Sequence, residues 1–193
     1  MSLADYDLVP TQLVRRWAKR WEFQPTWQGM ARAAEDRKHF PDGHRFPGDA
    51  DEERLAIARC REAWSELTGA PRPRPPVQVV ITYRLRFDDG DGSRIDTPVR
   101  PDLEDCSEEF GGEHWHSEPF GARFATPPLG WAHWYLTAGR YGWRRLEPLI
   151  TKSVHRYPLN TLGGLLITAP DFSWVWHPYD GGSLVLNQAE QLP

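Results

Sequence analysis

The stretch from Trp131 to Leu186 constrains the fold more than any other part of the chain, because it combines a strong apolar pattern with clear turn signals. Residues Trp131–Thr137 are apolar and aromatic enough for a β-strand. Residues Trp143–Arg156 carry apolar side chains at helical spacing. Three short β-type runs separated by turn residues follow, at Leu165–Thr168, Trp174–Trp176 and Leu184–Leu186. The stretch is therefore predicted to form a β-α-β-β-β unit.

The first half of the chain predicts helices followed by a strand. Pro10–Trp21 carries an apolar stripe opposite a basic face, which is typical of an amphipathic helix. A second helix is expected after Thr26, and a third between an N-cap at Asp49 and a stop at Gly69. After the proline-rich connector APRPRPP, Val77–Phe87 alternates in a way that predicts a strand with one buried and one partly solvated face.

These elements predict an α+β fold. Because one-sided strands and amphipathic helices must cover each other, we expect an N-terminal helical layer packed on a mostly antiparallel sheet. The helical layer falls within residues 1–69, and residues 77–193 form the part that contains the sheet and the C-terminal β-α-β-β-β unit. A length of 193 residues suits one core, so a single domain spanning 1–193 is expected.

Residues 88–118 form the most strongly charged part of the chain. They contain 11 acidic and 2 basic residues, a net charge of −9, whereas the whole chain carries −4. A connection of this length in a small domain is usually functional or disordered. Its charge repels phosphates, so nucleic-acid binding is not expected. The same charge favours a cation or a basic protein partner.

Aromatic residues lie beside the carboxylates of this acidic loop, and aromatic side chains often anchor protein interfaces. We therefore predict that the loop contacts a protein partner. The candidate partner-binding residues are Asp102, Glu104, Asp105, Glu108, Glu109, Phe110 and Trp115.

A second candidate site is a histidine cluster. On a strand, His114 and His116 would lie on the same side, and His133 could supply a third ligand for a zinc ion. Two histidines spaced in this way are also common as ordinary polar residues on an exposed strand, since a zinc site requires three or four ligands. No cofactor other than this zinc is expected.

Other reactive residues do not form a catalytic pattern, and no catalytic residue is predicted. His177 and Asp180 could form a general-base pair, but no nucleophile motif accompanies them. Cys60 falls inside the third predicted helix, and Cys106 lies among acidic residues, which raise the pKa of a thiol.

The sequence predicts a cytoplasmic protein. It contains no apolar run long enough to cross a membrane. Its N-terminus lacks the basic and apolar regions of a signal peptide. The two cysteines have neither disulfide-framework nor metal-ligand spacing, which suits a reducing compartment.

The C-terminal run LLITAPDFSWVWHPYDGGSLVL resembles the end of a bacterial domain family of unknown function. In that family, a hairpin ends in a Tyr-Asp-Asp-Arg-Gly-type turn followed by an apolar strand. Tyr179, Asp180, Gly181 and Gly182 occupy the turn here, without the second acidic residue or the arginine. The resemblance implies a small cytoplasmic protein. Because some members are encoded beside polymorphic toxin systems, it also implies an immunity-type role, and it identifies no catalytic residue.

These observations favour a binding protein that neutralises a basic protein partner, such as a toxin or an enzyme domain, through its acidic loop. A metal-assisted hydrolase that uses the histidine cluster is the alternative from a different class. A peptide-binding or regulatory module remains a third interpretation.

Overall fold

The structure, a computed structural model, describes residues 10–21, 34–38, 50–69, 74–87, 113–120, 130–154, 164–179 and 182–187. These ranges contain three helices, α1 (Pro10–Arg20), α2 (Ala50–Thr68) and α3 (Trp143–Val154). They also contain seven strands: β1 (Glu35–Lys38), β2 (Gln78–Phe87), β3 (Glu113–Phe120), β4 (Gly130–Gly139), β5 (Gly164–Thr168), β6 (Trp174–Tyr179) and β7 (Gly182–Asn187). Among the described helices, none is both long and apolar enough to cross a membrane.

The seven strands form one sheet in the order β1-β7-β6-β5-β2-β4-β3, and every neighbouring pair is antiparallel. β2 lies inside the sheet, paired with β4 along its whole length and with β5 over its first half. The order β4-α3-β5-β6-β7 along the chain is the predicted C-terminal β-α-β-β-β unit. The α+β class and the antiparallel sheet are therefore confirmed.

Helices cover both faces of this sheet. On one face, Val79 and Ile81 of β2 join the core that contains Leu13 and Trp17 of α1. On the other face, Val80 belongs to the core built from α2 and α3. The two N-terminal helices therefore lie on opposite faces, whereas the sequence places them in one layer. The reason is that the inner strands are apolar on both sides, and each side requires its own cover.

The prediction that one face of β2 is partly solvated is wrong for the first half of this strand. Every residue from Gln78 to Thr82 is buried. Gln78 is fully buried because its side chain makes two hydrogen bonds inside the protein. Its Oε1 accepts from Trp64 Nε1 of α2 at 3.2 Å, and its Nε2 donates to the Tyr141 carbonyl at 2.9 Å. Paired in this way, a buried amide does not incur the cost of an unsatisfied polar group.

The β5–β6 connection locks the hairpin onto α1. Phe172 has a φ of 58°, in the left-handed region that non-glycine residues rarely adopt. Its side chain is fully buried and meets Trp17 edge to face, with ring centroids 5.2 Å apart. Burial of a large aromatic side chain contributes about 2–3 kcal/mol, which offsets the roughly 1–2 kcal/mol of backbone strain.

Helix α2 confirms the predicted third helix almost residue for residue. Three acidic residues, Asp51, Glu52 and Glu53, lie in its first turn, where the helix dipole favours negative charge. It ends before Gly69, whose φ of 65° is the left-handed conformation that terminates many helices. The N-cap residue predicted at Asp49 lies outside the described residues, and so does the second helix predicted after Thr26.

Strand β1 has no counterpart in the sequence prediction. Its four residues are all charged, so it lacks the apolar alternation that indicates a strand. It forms because it pairs with β7 as the last strand at this edge of the described sheet. Charged residues suit an edge strand, since they discourage pairing with other chains. Arg37 fixes β1 to α2 through an ion pair with Glu66 at 2.5 Å.

Candidate functional site

The predicted partner-binding residues fall largely beyond the part of the chain that can be examined. Asp102, Glu104, Asp105, Glu108, Glu109 and Phe110 lie outside the described residues. Trp115 lies in β3, of which only the backbone is described at this position. The prediction of a loop over residues 88–118 is therefore wrong for its last six residues, which begin this strand. The role of these residues stays a prediction.

The histidine cluster was predicted on the expectation that His114 and His116 lie on the same side of one strand, and the backbone of β3 differs from that expectation. The pairing of β3 with β4 shifts between His114 and His116, so that His114 pairs with Tyr135 and His116 with Trp134. Adjacent β4 positions belong to opposite faces of the sheet. The two histidine positions therefore do not share a face, contrary to the expectation from simple alternation.

The third histidine of the cluster can be placed by the same register. His133 pairs with Ser117, two positions along β4 from Tyr135, the partner of His114. His114 and His133 consequently occupy positions on one face, and His116 occupies the other. The bulge thus separates one of the three proposed zinc ligands from the other two at the level of the backbone, and zinc binding itself stays a prediction.

The side chain of His177 forms a hydrogen bond that joins β6 to β5. Its Nδ1 lies 2.6 Å from the carbonyl oxygen of Leu165, and since that oxygen can only accept, Nδ1 carries the proton. Ile167 pairs with Trp176, and extending this antiparallel register places Leu165 opposite Pro178. Because Pro178 has no N–H group, the imidazole supplies the donor that the proline lacks.

Helix α3 also supplies a hydrogen bond at Pro178. Ser153 Oγ donates a hydrogen bond of 2.7 Å to the Pro178 carbonyl oxygen, in a buried environment. At this end of the β5–β6 pair, the His177 imidazole therefore bonds the Leu165 carbonyl oxygen, and the Ser153 hydroxyl bonds the Pro178 carbonyl oxygen. This arrangement ties α3 to the sheet without a regular backbone ladder at that position.

Burial decides the protonation of His177. Removal of the ring from water lowers the pKa of His177 to about 4, although the hydrogen bond to Leu165 opposes the shift. The imidazole is therefore neutral at pH 7, with its Nδ1 proton held by the backbone. Its predicted general-base partner, Asp180, lies outside the described residues.

Cys60 is a buried, unreactive thiol. It is fully buried in the core between α2, α3 and the sheet. Desolvation raises the pKa of Cys60 far above neutral pH, so the nucleophilic thiolate does not form there. Cys60 lies in α2, the third helix predicted from the sequence.

A groove of about 770 Å³ runs between α2 and α3 on the outer side of these helices. Its α2 wall consists of adjacent residue pairs that repeat every helical turn. The first pair is Glu53 and Arg54, and the last is Ser65 and Glu66. Residues four apart lie on the same face of a helix, so these pairs form one continuous stripe. At 1.5 Å per residue the stripe is about 20 Å long.

The centre of the groove is apolar. Ile57 and Ala58 lie in the middle of the α2 stripe, and Trp143 begins the α3 wall, which continues through Glu147 and Thr151. Trp143 is itself held from below by Trp64, with ring centroids 6.0 Å apart and a tilted arrangement. The exposed apolar surface of the groove is therefore small and comes from Ile57 and Ala58, because Trp143 is only 7% exposed and belongs to the core beneath.

Nothing in the sequence indicated this groove, because the charged residues on the outer face of α2 resemble an ordinary solvated surface. The one available signal was Ile57, an aliphatic residue among the outward-facing charges. The second wall comes from α3, more than 70 residues later in the chain, so no local pattern links the two.

No protein family, curated protein or solved structure matches this chain. Its function must therefore be inferred from its own residues.

Proposed function

We propose that this chain is a cytoplasmic binding protein that neutralises a basic protein partner through its acidic loop, residues 88–118, in the manner of an immunity protein. The observation that carries the proposal is the charge of this loop. It holds a net charge of −9 in a chain of net charge −4, so the remaining residues together carry +5. An uneven distribution of this size creates a local negative potential that attracts and orients a positively charged partner.

The fold supports the proposal by holding both ends of the loop on the sheet. β2 ends at Phe87 and β3 begins at Glu113, and both strands pair with β4. Phe87 pairs with Gly130 and Glu113 with Leu136, positions that lie about 20 Å apart along β4 at roughly 3.4 Å per residue. Anchoring both ends reduces the conformational entropy that is lost when a partner binds.

The proposed partner contributes lysine or arginine side chains to the contact. The carboxylates of Asp102 and Asp105 would pair with them, and the aromatic side chains of Phe110 and Trp115 would supply apolar anchors. A toxin or an enzyme domain that acts on phosphate-rich substrates has a basic active site of this kind. Occupation of such a site by the loop would block access of the substrate.

The test compares two double variants with the same change in charge. Asp102→Asn with Asp105→Asn removes two negative charges from the loop. Glu35→Gln with Glu52→Gln removes two from β1 and α2, outside the loop. Both are used with the wild type to capture partners from the host at low salt, and the affinity of each captured protein is then measured with purified components.

We expect the loop variant to bind the partner about tenfold more weakly at low salt and to depend less on salt, since each ion pair at an interface rim contributes roughly 0.5–1 kcal/mol. The control should bind like the wild type. Equal binding by all three proteins would contradict the proposal. A chain that binds no protein but purifies with one zinc ion would instead favour the metal-assisted hydrolase.

A further inference from the structure

Residues that can donate hydrogen bonds occupy one row across three neighbouring strands. His133 of β4 pairs with Arg84 of β2 on one side and with Ser117 of β3 on the other. Directly paired residues of antiparallel strands share a face of the sheet, and neighbouring strands lie about 4.8 Å apart. The positions of Arg84, His133 and Ser117 therefore form a row about 10 Å long on one face.

The bulge in β3 keeps the carboxylates of these strands off the face of this row. The extra residue is Trp115, which has no paired position on β4. Glu113 and Glu118, the acidic residues of the three strands, pair with β4 positions an odd number of residues from His133, so both occupy the opposite face. In a regular strand, residues five apart lie on opposite faces, and one of these two glutamates would share the face of the row.

Arg86 adds a second cation beside the row. It lies two positions after Arg84 on β2, so it shares the same face at a distance of about 7 Å along the strand. Among the described residues, β5 pairs with β2 from Val79 to Thr82, before either arginine. The row and Arg86 therefore lie in the part of the described sheet that consists of β2, β4 and β3.

We propose that Arg84, Arg86, His133 and Ser117 form a binding site for the phosphate group of a small molecule. An arginine can donate two parallel hydrogen bonds to a phosphate, and an imidazole N–H and a hydroxyl can each donate one. A phosphate monoester carries about −1.5 to −2 charge at pH 7 and three terminal oxygens that accept hydrogen bonds. It matches two cations and this number of donors better than a carboxylate does, since a carboxylate has one charge and two oxygens.

A single phosphate group suits this site better than a nucleic acid does. The acidic loop, residues 88–118, begins where β2 ends and carries a net charge of −9. A phosphate polymer would extend beyond the row into this negative potential, whereas one phosphate group is bound by the row alone. The inference does not rest on the proposed function, because it involves neither a contact with the loop nor a protein partner.

Isothermal titration calorimetry of the full chain tests the site with inorganic phosphate and with phenyl phosphate. Acetate at the same ionic strength is the comparison ligand, and EDTA is present so that no metal ion mediates binding. We expect phosphate to bind at least about tenfold more tightly than acetate, because its second charge meets the second arginine. Binding of both phosphates would support a phosphate monoester as the ligand, and binding of inorganic phosphate alone would support free phosphate. If the folded wild type binds neither, or binds acetate equally well, the inference is wrong.

Two variants of β3 test the assignment of faces. Ser117→Asp adds a carboxylate to the row, whereas His116→Asp adds one at the adjacent position, which the register places on the opposite face. Because like charges repel, Ser117→Asp should weaken phosphate binding at least about tenfold, and His116→Asp should weaken it less than about threefold. Equal weakening by the two variants would refute the inference.

A second pair of variants decides the question if an added carboxylate prevents folding. Arg84→Gln with Arg86→Gln removes both cations of the site, and Arg15→Gln with Arg16→Gln removes two from the exposed face of α1. Circular dichroism confirms that each protein is folded. We expect the first pair to weaken phosphate binding at least about tenfold and the control to bind like the wild type. If both bind phosphate equally, the site is not at this row and the inference fails.

Discussion

Lowering the pH from 7 towards 5 should destabilise this protein, because His177 is buried in its neutral form. The imidazole is buried, neutral and bonded to the Leu165 carbonyl oxygen. Burial lowers the pKa of His177 from an ordinary 6.5 to about 4. Between these two values the unfolded chain binds a proton that the folded chain does not, so the free energy of unfolding falls as the pH is lowered through this window.

The size of the effect follows from the shift. Each pH unit of displacement corresponds to about 1.4 kcal/mol, so His177 should reduce the free energy of unfolding by about 3 kcal/mol between pH 7 and pH 4. About two thirds of this loss occurs above pH 5, where carboxylates with ordinary pKa values are still mostly ionised. For a protein of marginal stability, this is a large fraction of the total.

Urea denaturation at pH 7.0, 6.0, 5.0 and 4.5 measures this loss. His177→Asn keeps an amide donor close to the position of Nδ1 and removes the titrating group, so its stability should change little with pH in this window. Ser153→Ala is the control, because it removes the hydrogen bond to Pro178 from the same place without removing a titrating group. Its curve should lie parallel to that of the wild type.

The reasoning is refuted if the wild type and His177→Asn lose stability in parallel as the pH falls. It is refuted equally if the His177 ring titrates near pH 6.5 in the NMR spectrum of the folded protein. Either result would mean that the imidazole reaches solvent or is already charged in the folded state.

Two further predictions concern the cores on the two faces of the sheet. Trp64→Phe should lower the free energy of unfolding by about 2–3 kcal/mol, because it leaves Gln78 Oε1 buried without its indole donor. Trp176→Phe should lower it by about 1 kcal/mol, since Trp176 Nε1 has no hydrogen-bond partner among the described residues. Leu13→Ala should lower the free energy of unfolding by about 2–5 kcal/mol because Leu13 of α1 is fully buried in the core against the sheet. Leu55→Ala, at a position 39% exposed, should change it by less than about 0.5 kcal/mol. Urea midpoints at pH 7 test both pairs, and equal losses within either pair would contradict the assigned environments.

The C-terminal half of the fold could be predicted because its local signals agree with its tertiary environment. Apolar spacing marks α3, and short β-branched and aromatic runs mark β5, β6 and β7. Each of these elements lies where its own residues favour it. The resulting antiparallel sheet follows from the short connections between neighbouring strands.

Elsewhere the decisive contacts are not local. Gln78 is a polar residue that predicts a solvated face, and only its bonds to Trp64 and Tyr141 explain its burial. The bulge in β3 arises from pairing with β4, which nothing in the β3 sequence specifies. The groove joins helices that are distant in the chain. These features depend on which elements meet, and a pattern within one element does not contain that information.

The central claim, that the acidic loop at residues 88–118 binds a basic protein, is tested most directly by capture of partners from the host followed by a salt titration. The wild-type chain is immobilised, and bound proteins are eluted by increasing salt and identified by mass spectrometry. The account predicts one basic protein that elutes as the salt rises, and that Asp102→Asn with Asp105→Asn releases at lower salt, because fewer charge contacts hold it. A partner that stays bound at high salt, or that both chains release at the same salt concentration, would contradict the claim.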